Sequence, residues 1–183
     1  MIYLVKDYKN KQVDTTNIPN YFLDEVKGNN ILEQKKLWYS FLRNILRDDY
    51  DLNLDELIIS YNEYGKPYLN YPLYFSIAHT DRDLLMGISN HEIGIDMETI
   101  RKYEPLVAKK LFTVKEQEKA CNNDYLFTKI FVMKEAYGKC EGRGLGEYLR
   151  EIEVNDLDNM QVIDYDNLII GICNSNNNEI KEL

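Results

Sequence analysis

Cysteine is scarce in this sequence. The three present, Cys121, Cys140 and Cys173, are far apart and include no CxxC pair. That spacing offers neither a disulfide framework nor a cysteine zinc site, so reduced thiols are expected. Two histidines, His79 and His91, leave little material for a histidine-built metal centre. Long apolar runs are missing as well. The opening MIYLVKDYKNKQ turns to lysine and aspartate too soon for a signal-peptide core or a membrane span, so no membrane and a cytoplasmic location are expected. Positive charge is in deficit, with 22 Lys and Arg against 31 Asp and Glu for a net charge of −9. This argues against nonspecific nucleic-acid binding, and any anionic ligand would need a local basic patch.

What is present suits a globular chain. The hydrophobic fraction is 44% and the charged fraction 29%, over 183 residues, enough for one compact domain or two small lobes sharing a core. Ile2 to Val5 and Leu57 to Ser60 read as strands, and EYGKPYLNYP as a loop. Leu73–Ala78, Leu84–Ser89 and Ile93–Met97 read as three strands of one small meander. Ile31 to Arg47 reads as an amphipathic helix with Trp38, Phe41, Leu42, Ile45 and Leu46 as its apolar stripe. After Pro105 helices dominate: Val107–Phe112, a second capped by Thr113 with Glu116 three residues on, and a long one from Asp124 through Lys139. Short strands return from Glu151 to Cys173, and Asn174 to Asn178 reads as a loose polar segment. The only lobe boundary suggested lies near Ile100, giving 1–100 and 101–183.

The chemistry centres on HEIGIDMETI. In a strand, Asp96 and Glu98 are two apart and point the same way, so they repel unless something positive lies between them. On the long helix, Glu135 and Lys139 are four apart and share a face. Phe131 and Val132 one turn earlier put Glu135 at the edge of a core. Gly138 costs about 1 kcal/mol of helix propensity relative to alanine, which makes sense where something approaches the helix closely. If the long helix crosses the end of the acidic strand, Asp96, Glu98 and Glu135 converge as oxygen ligands of the kind magnesium takes, sharing its shell with phosphates. His79 ends a strand and serves either as a structural hydrogen-bonding residue or as a donor to an anionic oxygen. Lys66 is equally open. Lys36, Arg43 and Arg47 line one side of the first helix, as a solvated face or as an anion patch.

In order and spacing, Gly65-Lys66-Pro67, Ser76-Ile77-Ala78-His79-Thr80, Gly94-Ile95-Asp96-Met97-Glu98, Leu111-Phe112-Thr113-Val114-Lys115-Glu116, the helix segment from Phe131 to Lys139, and Gly142-Arg143-Gly144-Leu145 resemble the 4'-phosphopantetheinyl transferase superfamily. The resemblance runs from about Leu32 to Val154. About ninety residues precede the acidic motif, which is similar to the longer, Sfp-type members. Two residues depart from the pattern, Ala78 standing where the family often has serine and Phe131 where it often has tryptophan.

The resemblance implies an α+β fold of two similar α/β lobes in a pseudo-dimer, expected as a monomer. The N-terminal lobe, 1–100, would supply coenzyme A contacts and the acidic strand, and the C-terminal lobe, 101–183, the catalytic helix. It implies transfer of the 4'-phosphopantetheine arm of coenzyme A to a serine of an apo acyl or peptidyl carrier protein, releasing adenosine 3',5'-bisphosphate. Asp96, Glu98 and Glu135 would hold magnesium. Glu135 would take the serine proton, Lys139 would stabilise the pyrophosphate, and His79 would contact a phosphate. Lys66 would lie near the adenine, and Lys36, with Arg43 beside it, near the 3'-phosphate. Glu116 is left out of the catalytic set, since a capping box explains it. The competing readings are a noncatalytic coenzyme A or carrier-binding module of the same fold, and an unrelated magnesium phosphotransferase using ATP.

Overall fold

A computed structural model describes residues 1–19, 22, 29–174 and 179–183. Most of the polar segment read as loose, residues 175–178, lies outside the described residues. The fold is α+β. Nine strands are described: β1 (Ile2–Val5), β2 (Ile59–Tyr61), β3 (Pro67–Leu69), β4 (Tyr74–His79), β5 (Leu84–Ser89), β6 (Gly94–Thr99), β7 (Met160–Tyr165), β8 (Leu168–Cys173) and β9 (Ile180–Glu182). The described α-helices are α1 (Asn29–Tyr50), α2 (Pro105–Leu111), α3 (Val114–Ala120) and α4 (Asp124–Cys140).

One sheet has the order β4-β5-β1-β9, a second β6-β8-β7, and β2 and β3 form a separate hairpin. The meander expected for β4, β5 and β6 therefore stops at β5. The reason is that β5 is already paired on both edges, to β4 and to β1, so β6 has no edge to join and pairs antiparallel with β8 instead. Strand pairing thus crosses the boundary expected near Ile100 twice, because β9 also returns to lie parallel to β1.

The alternation of side chains along the strands builds the layers. Tyr3 and Val5 of β1 face α1, where Leu42, Ile45 and Leu46 cover them, while Ile2 and Leu4 face the other way. On that second face they meet Ile95 and Met97 of β6 and Ile170 and Ile172 of β8, so the two sheets share one apolar interior. The helix α4 closes the far side through Phe127, Phe131, Met133 and Ala136. This layering makes β6 a divided strand, with Ile95 and Met97 inward and Asp96 and Glu98 toward α4.

Two glycines set how closely α4 lies on the sheet. A Cβ at Gly94 would stand 1.9 Å from the Ala136 carbonyl oxygen, and one at Gly171, which pairs with Asp96, 2.5 Å from the Val132 oxygen. Only hydrogen in place of a side chain allows that approach.

The helix ends follow local chemistry. Pro105 opens α2, where its fixed φ suits the first turn. Thr113 and Glu116 form the anticipated capping box on α3, and the Asn123 side chain accepts from Leu126 N to start α4.

Candidate active site

β6 and α4 bring the acidic residues to one place. Asp96 is buried, and its Oδ1 accepts a hydrogen bond from Lys139 Nζ at 2.8 Å, which also donates to the Ile77 carbonyl at 3.2 Å. Burial pushes the Asp96 carboxyl above its ordinary value, and Lys139 opposes that rise. Glu98, one pleat on, is raised by burial and then by Asp96, and Arg101 pulls it back. Glu135, half-buried on α4, is pushed up to about 7, first by burial and next by the charge of Asp96, with Lys139 opposing. The three carboxylates therefore share one field, as the strand and helix spacings anticipate. Among the described residues, however, no three metal-ligating side chains are gathered closely enough to coordinate an ion. Asp96 is instead paired with Lys139, and Glu98 lies 3.6 Å from Arg101.

Arg101 escaped the sequence reading. Its guanidinium stacks over Phe131 at 4.6 Å, and it also ion-pairs with Glu104, while its backbone N–H donates to Thr128 Oγ1 at 3.0 Å. It thereby ties the connection after β6 to the first half of α4. The aromatic residue at 131 was legible; its cation, thirty positions away, was not.

A cleft of about 300 Å³ opens beside Lys139, lined by Trp38 of α1, Tyr61 and Tyr64 of the β2–β3 hairpin, Lys66, Phe75 and His79. His79, exposed at the end of β4, stands between this cleft and a second one of about 450 Å³ that includes Glu98. Lys66 lines the first cleft, yet its ammonium is tied down, ion-paired with Glu92 and donating to the Cys140 carbonyl at 2.9 Å. It caps the C-terminus of α4.

The stripe on α1 lies elsewhere. Lys36 pairs with Glu33 at 2.8 Å. Arg43 donates to the Asp14 and Thr16 carbonyls at 2.6 and 3.2 Å, fastening the segment after β1, and Arg47 pairs with Asp48. None of the three lines the aromatic cleft. The α1 lysine nearest it is Lys35, whose Nζ lies 5.3 Å from the Tyr61 ring centroid. One residue's shift in helical register separates the two lysines, a difference the sequence pattern does not resolve.

The lysine before Glu135 is structural. Lys134 and Glu116 are fully buried and ion-paired at 2.7 Å; Lys134 also donates to the Leu149 and Ile152 carbonyls, and Glu116 accepts from Val154 N at 3.0 Å. Burial pushes the Lys134 ammonium down, with Glu116 opposing. Leaving Glu116 out of the catalytic set agrees with this position. Gly138 also has its neighbour: a Cβ there would be 2.5 Å from the Gly144 oxygen, so the Gly142–Gly146 loop packs on the helix one residue before Lys139.

Comparison with known proteins matches residues 92–169 to a family model described as the 4'-phosphopantetheinyl transferase superfamily. The chain is 32% identical over 109 residues to the 4'-phosphopantetheinyl transferase gsp of Aneurinibacillus migulanus, covering 57% of this chain and 46% of that protein. It is 31% identical over 112 residues to the 4'-phosphopantetheinyl transferase Sfp of Bacillus subtilis (strain 168), covering 57% and 50%. The chain thus spans about half the length of the curated relatives it matches. The matched segment contains β6, α2, α3 and α4, and so every acid of the candidate site. By its motifs and these matches, the chain is similar to the 4'-phosphopantetheinyl transferase superfamily over residues 92–169, and to Sfp and gsp among its named members.

Proposed function

We propose that this chain transfers the 4'-phosphopantetheine arm of coenzyme A to a serine hydroxyl of an apo carrier protein, releasing adenosine 3',5'-bisphosphate, with magnesium as its metal. The observation that carries the reading is Glu135, held at about 7 beside Asp96 and Lys139, where the aromatic cleft opens. A carboxylate with a pKa near the operating pH is suited to accept a proton from an attacking hydroxyl.

Each group then has a task. Trp38, Tyr61 and Tyr64 offer flat apolar surfaces to the adenine. Lys139 reaches the pyrophosphate by exchanging its bond to Asp96 and stabilises the adenosine-side phosphate, which leaves as the P–O–P bond breaks and the serine oxygen bonds to the pantetheine-side phosphorus; His79 donates to a phosphate oxygen. Asp96, Glu98 and Glu135 offer carboxylate oxygens of the kind magnesium takes, and the rise that Asp96 causes in both glutamates, with Glu98 adding to that of Glu135, marks excess negative charge that such a cation would relieve. Bound there, magnesium would supply charge neutralisation at the pyrophosphate. Lys66, fixed at the end of α4, positions that helix rather than the ligand.

The carrier would dock on α2 and α3. Lys109, Lys110, Lys115 and Lys119 are exposed there, beside Leu106 and Val114, which are 83% and 69% exposed. A basic, apolar face on an acidic chain suits an acidic partner. The test is intact-mass analysis of an apo acyl carrier and an apo peptidyl carrier, each incubated with this protein, coenzyme A and magnesium. A phosphopantetheine mass gain that disappears with EDTA is expected. Coenzyme A binding without gain on either carrier would favour the binding-module reading instead.

A further inference from the structure

We propose that Cys140 and Cys173 form a modification site, a buried dithiol that a small hydroperoxide oxidises to an intramolecular disulfide. The site goes beyond the transfer reaction and uses none of the residues assigned to it.

The fold joins two residues that the sequence keeps apart. Cys140 is the last residue of α4 and Cys173 the last of β8. Gly94 of β6 pairs with Cys173, and a Cβ on that glycine would stand 2.9 Å from the Cα of Cys140. The helix end thus rests one strand away from Cys173, on the face of β8 that alternation turns toward α4 along with Gly171. There the two thiols are buried in one cluster and hydrogen-bond each other. A disulfide needs its sulfurs about 2.05 Å apart, so thiols already in hydrogen-bond contact close it mainly by side-chain rotation.

The surroundings give the two sulfurs different tasks. The bond from the Cys173 thiol holds the Cys140 thiol below its ordinary value against burial, and the Lys66 ammonium, fixed on the Cys140 carbonyl at 2.9 Å, adds to that effect. Cys173 is pushed up by the same bond and by burial, and so keeps its proton. Cys140 is also the more accessible, 6% exposed at a helix end against 0% for Cys173. It is therefore the attacking sulfur. Its thiolate breaks the O–O bond of hydrogen peroxide, taking one oxygen as a sulfenic acid while hydroxide leaves with the other. Cys173 then attacks the sulfenic sulfur: the S–S bond forms, the S–O bond breaks, and the Cys173 proton departs with that oxygen as water. Overall the thiols lose two electrons and two protons, and the peroxide becomes two waters. The bridge fixes the end of α4 two residues before Gly142, which lines the aromatic cleft.

Hydrogen peroxide added in slight excess to the pre-reduced, folded protein, followed by denaturation, alkylation and peptide mapping, tests this. The parent should yield a linked Cys140–Cys173 peptide that reverts with dithiothreitol, and its Tm should rise by about 4–16 °C as the bridge closes. In Cys173→Ser the reaction should stop at the Cys140 sulfenic acid, which dimedone traps, and in Cys140→Ser Cys173 should stay reduced. Where a variant fails to fold, mapping of the parent alone decides. Recovery of both thiols fully alkylated after a treatment that oxidises the exposed Cys121 would overturn the assignment. So would Cys140 carried on to sulfinic acid with Cys173 free, a bridge made through Cys121, or one formed only in denaturant. A bridge that lowered Tm would mean that the fold must distort to make it, and would equally contradict the proposal.

Discussion

Glu135 owes its properties to position more than to residue type. It sits one helical turn before Lys139 and faces Asp96, and burial with that neighbour raises it from an ordinary carboxyl to about 7. The same shift bears on stability. An acid whose folded pKa exceeds its unfolded value keeps its proton longer when folded, so the fold loses stability as pH rises from about 4.5 to about 7 and regains none above that. In the absence of divalent cation, Glu135→Gln should be neutral near pH 4. It should gain about 1–3 kcal/mol over the parent at pH 8, read as a rising difference in denaturation midpoint. A constant difference across that range would mean that Glu135 ionises normally.

Residue spacing made part of this legible. Asp96 and Glu98 on one face, Glu135 above Lys139 and the Thr113–Glu116 box follow from periods of two, four and three along the chain. Lys66, Lys36 and Arg43 were legible only as cations. What decides their role is a partner distant in sequence: Glu92 and the Cys140 carbonyl for Lys66, and Asp14 and Thr16 for Arg43. No local pattern encodes such partners. Arg101 was missed for the same reason.

Among the elements, α4 bears Glu135 and Lys139 of the candidate site and is fixed from several sides. Gly94 and Gly171 seat it on β6 and β8, Lys66 holds its last carbonyl, and Lys134 joins it through Glu116 to α3 and to the segment 149–154. The Lys134–Glu116 pair has no exposed atom to share its charge with water. Glu116→Gln should therefore destabilise by about 3–5 kcal/mol, the usual consequence of leaving one buried charge alone. Replacing both with apolar residues should be much milder in the same denaturant titration. A mild effect of Glu116→Gln alone would mean that Lys134 is neutral in the fold. The meander expected for β4 to β6 failed at this scale, since which strand occupies the free edge of β5 depends on β1, far away in sequence.

Across the whole molecule, α1, the two sheets and α4 stack in layers, and the candidate site lies where β4 and β6 meet beneath α4. The net charge of −9 and the four exposed lysines of α2 and α3 pull in opposite directions for an acidic carrier. Reversing two of them, Lys109→Glu with Lys115→Glu, should raise the KM for the carrier several-fold and reduce its salt dependence, with the KM for coenzyme A unchanged. A carrier KM that does not move would make those lysines an ordinary solvated face.

The most direct measurement compares the parent with Glu135→Gln under saturating coenzyme A and magnesium, following carrier mass and coenzyme A affinity in parallel. If Glu135 accepts the serine proton, the variant should bind coenzyme A within a few-fold of the parent and transfer the arm about 10²–10⁴-fold more slowly. Transfer at the parental rate by Glu135→Gln would contradict the account, because the site's raised carboxyl would then have no part in the reaction.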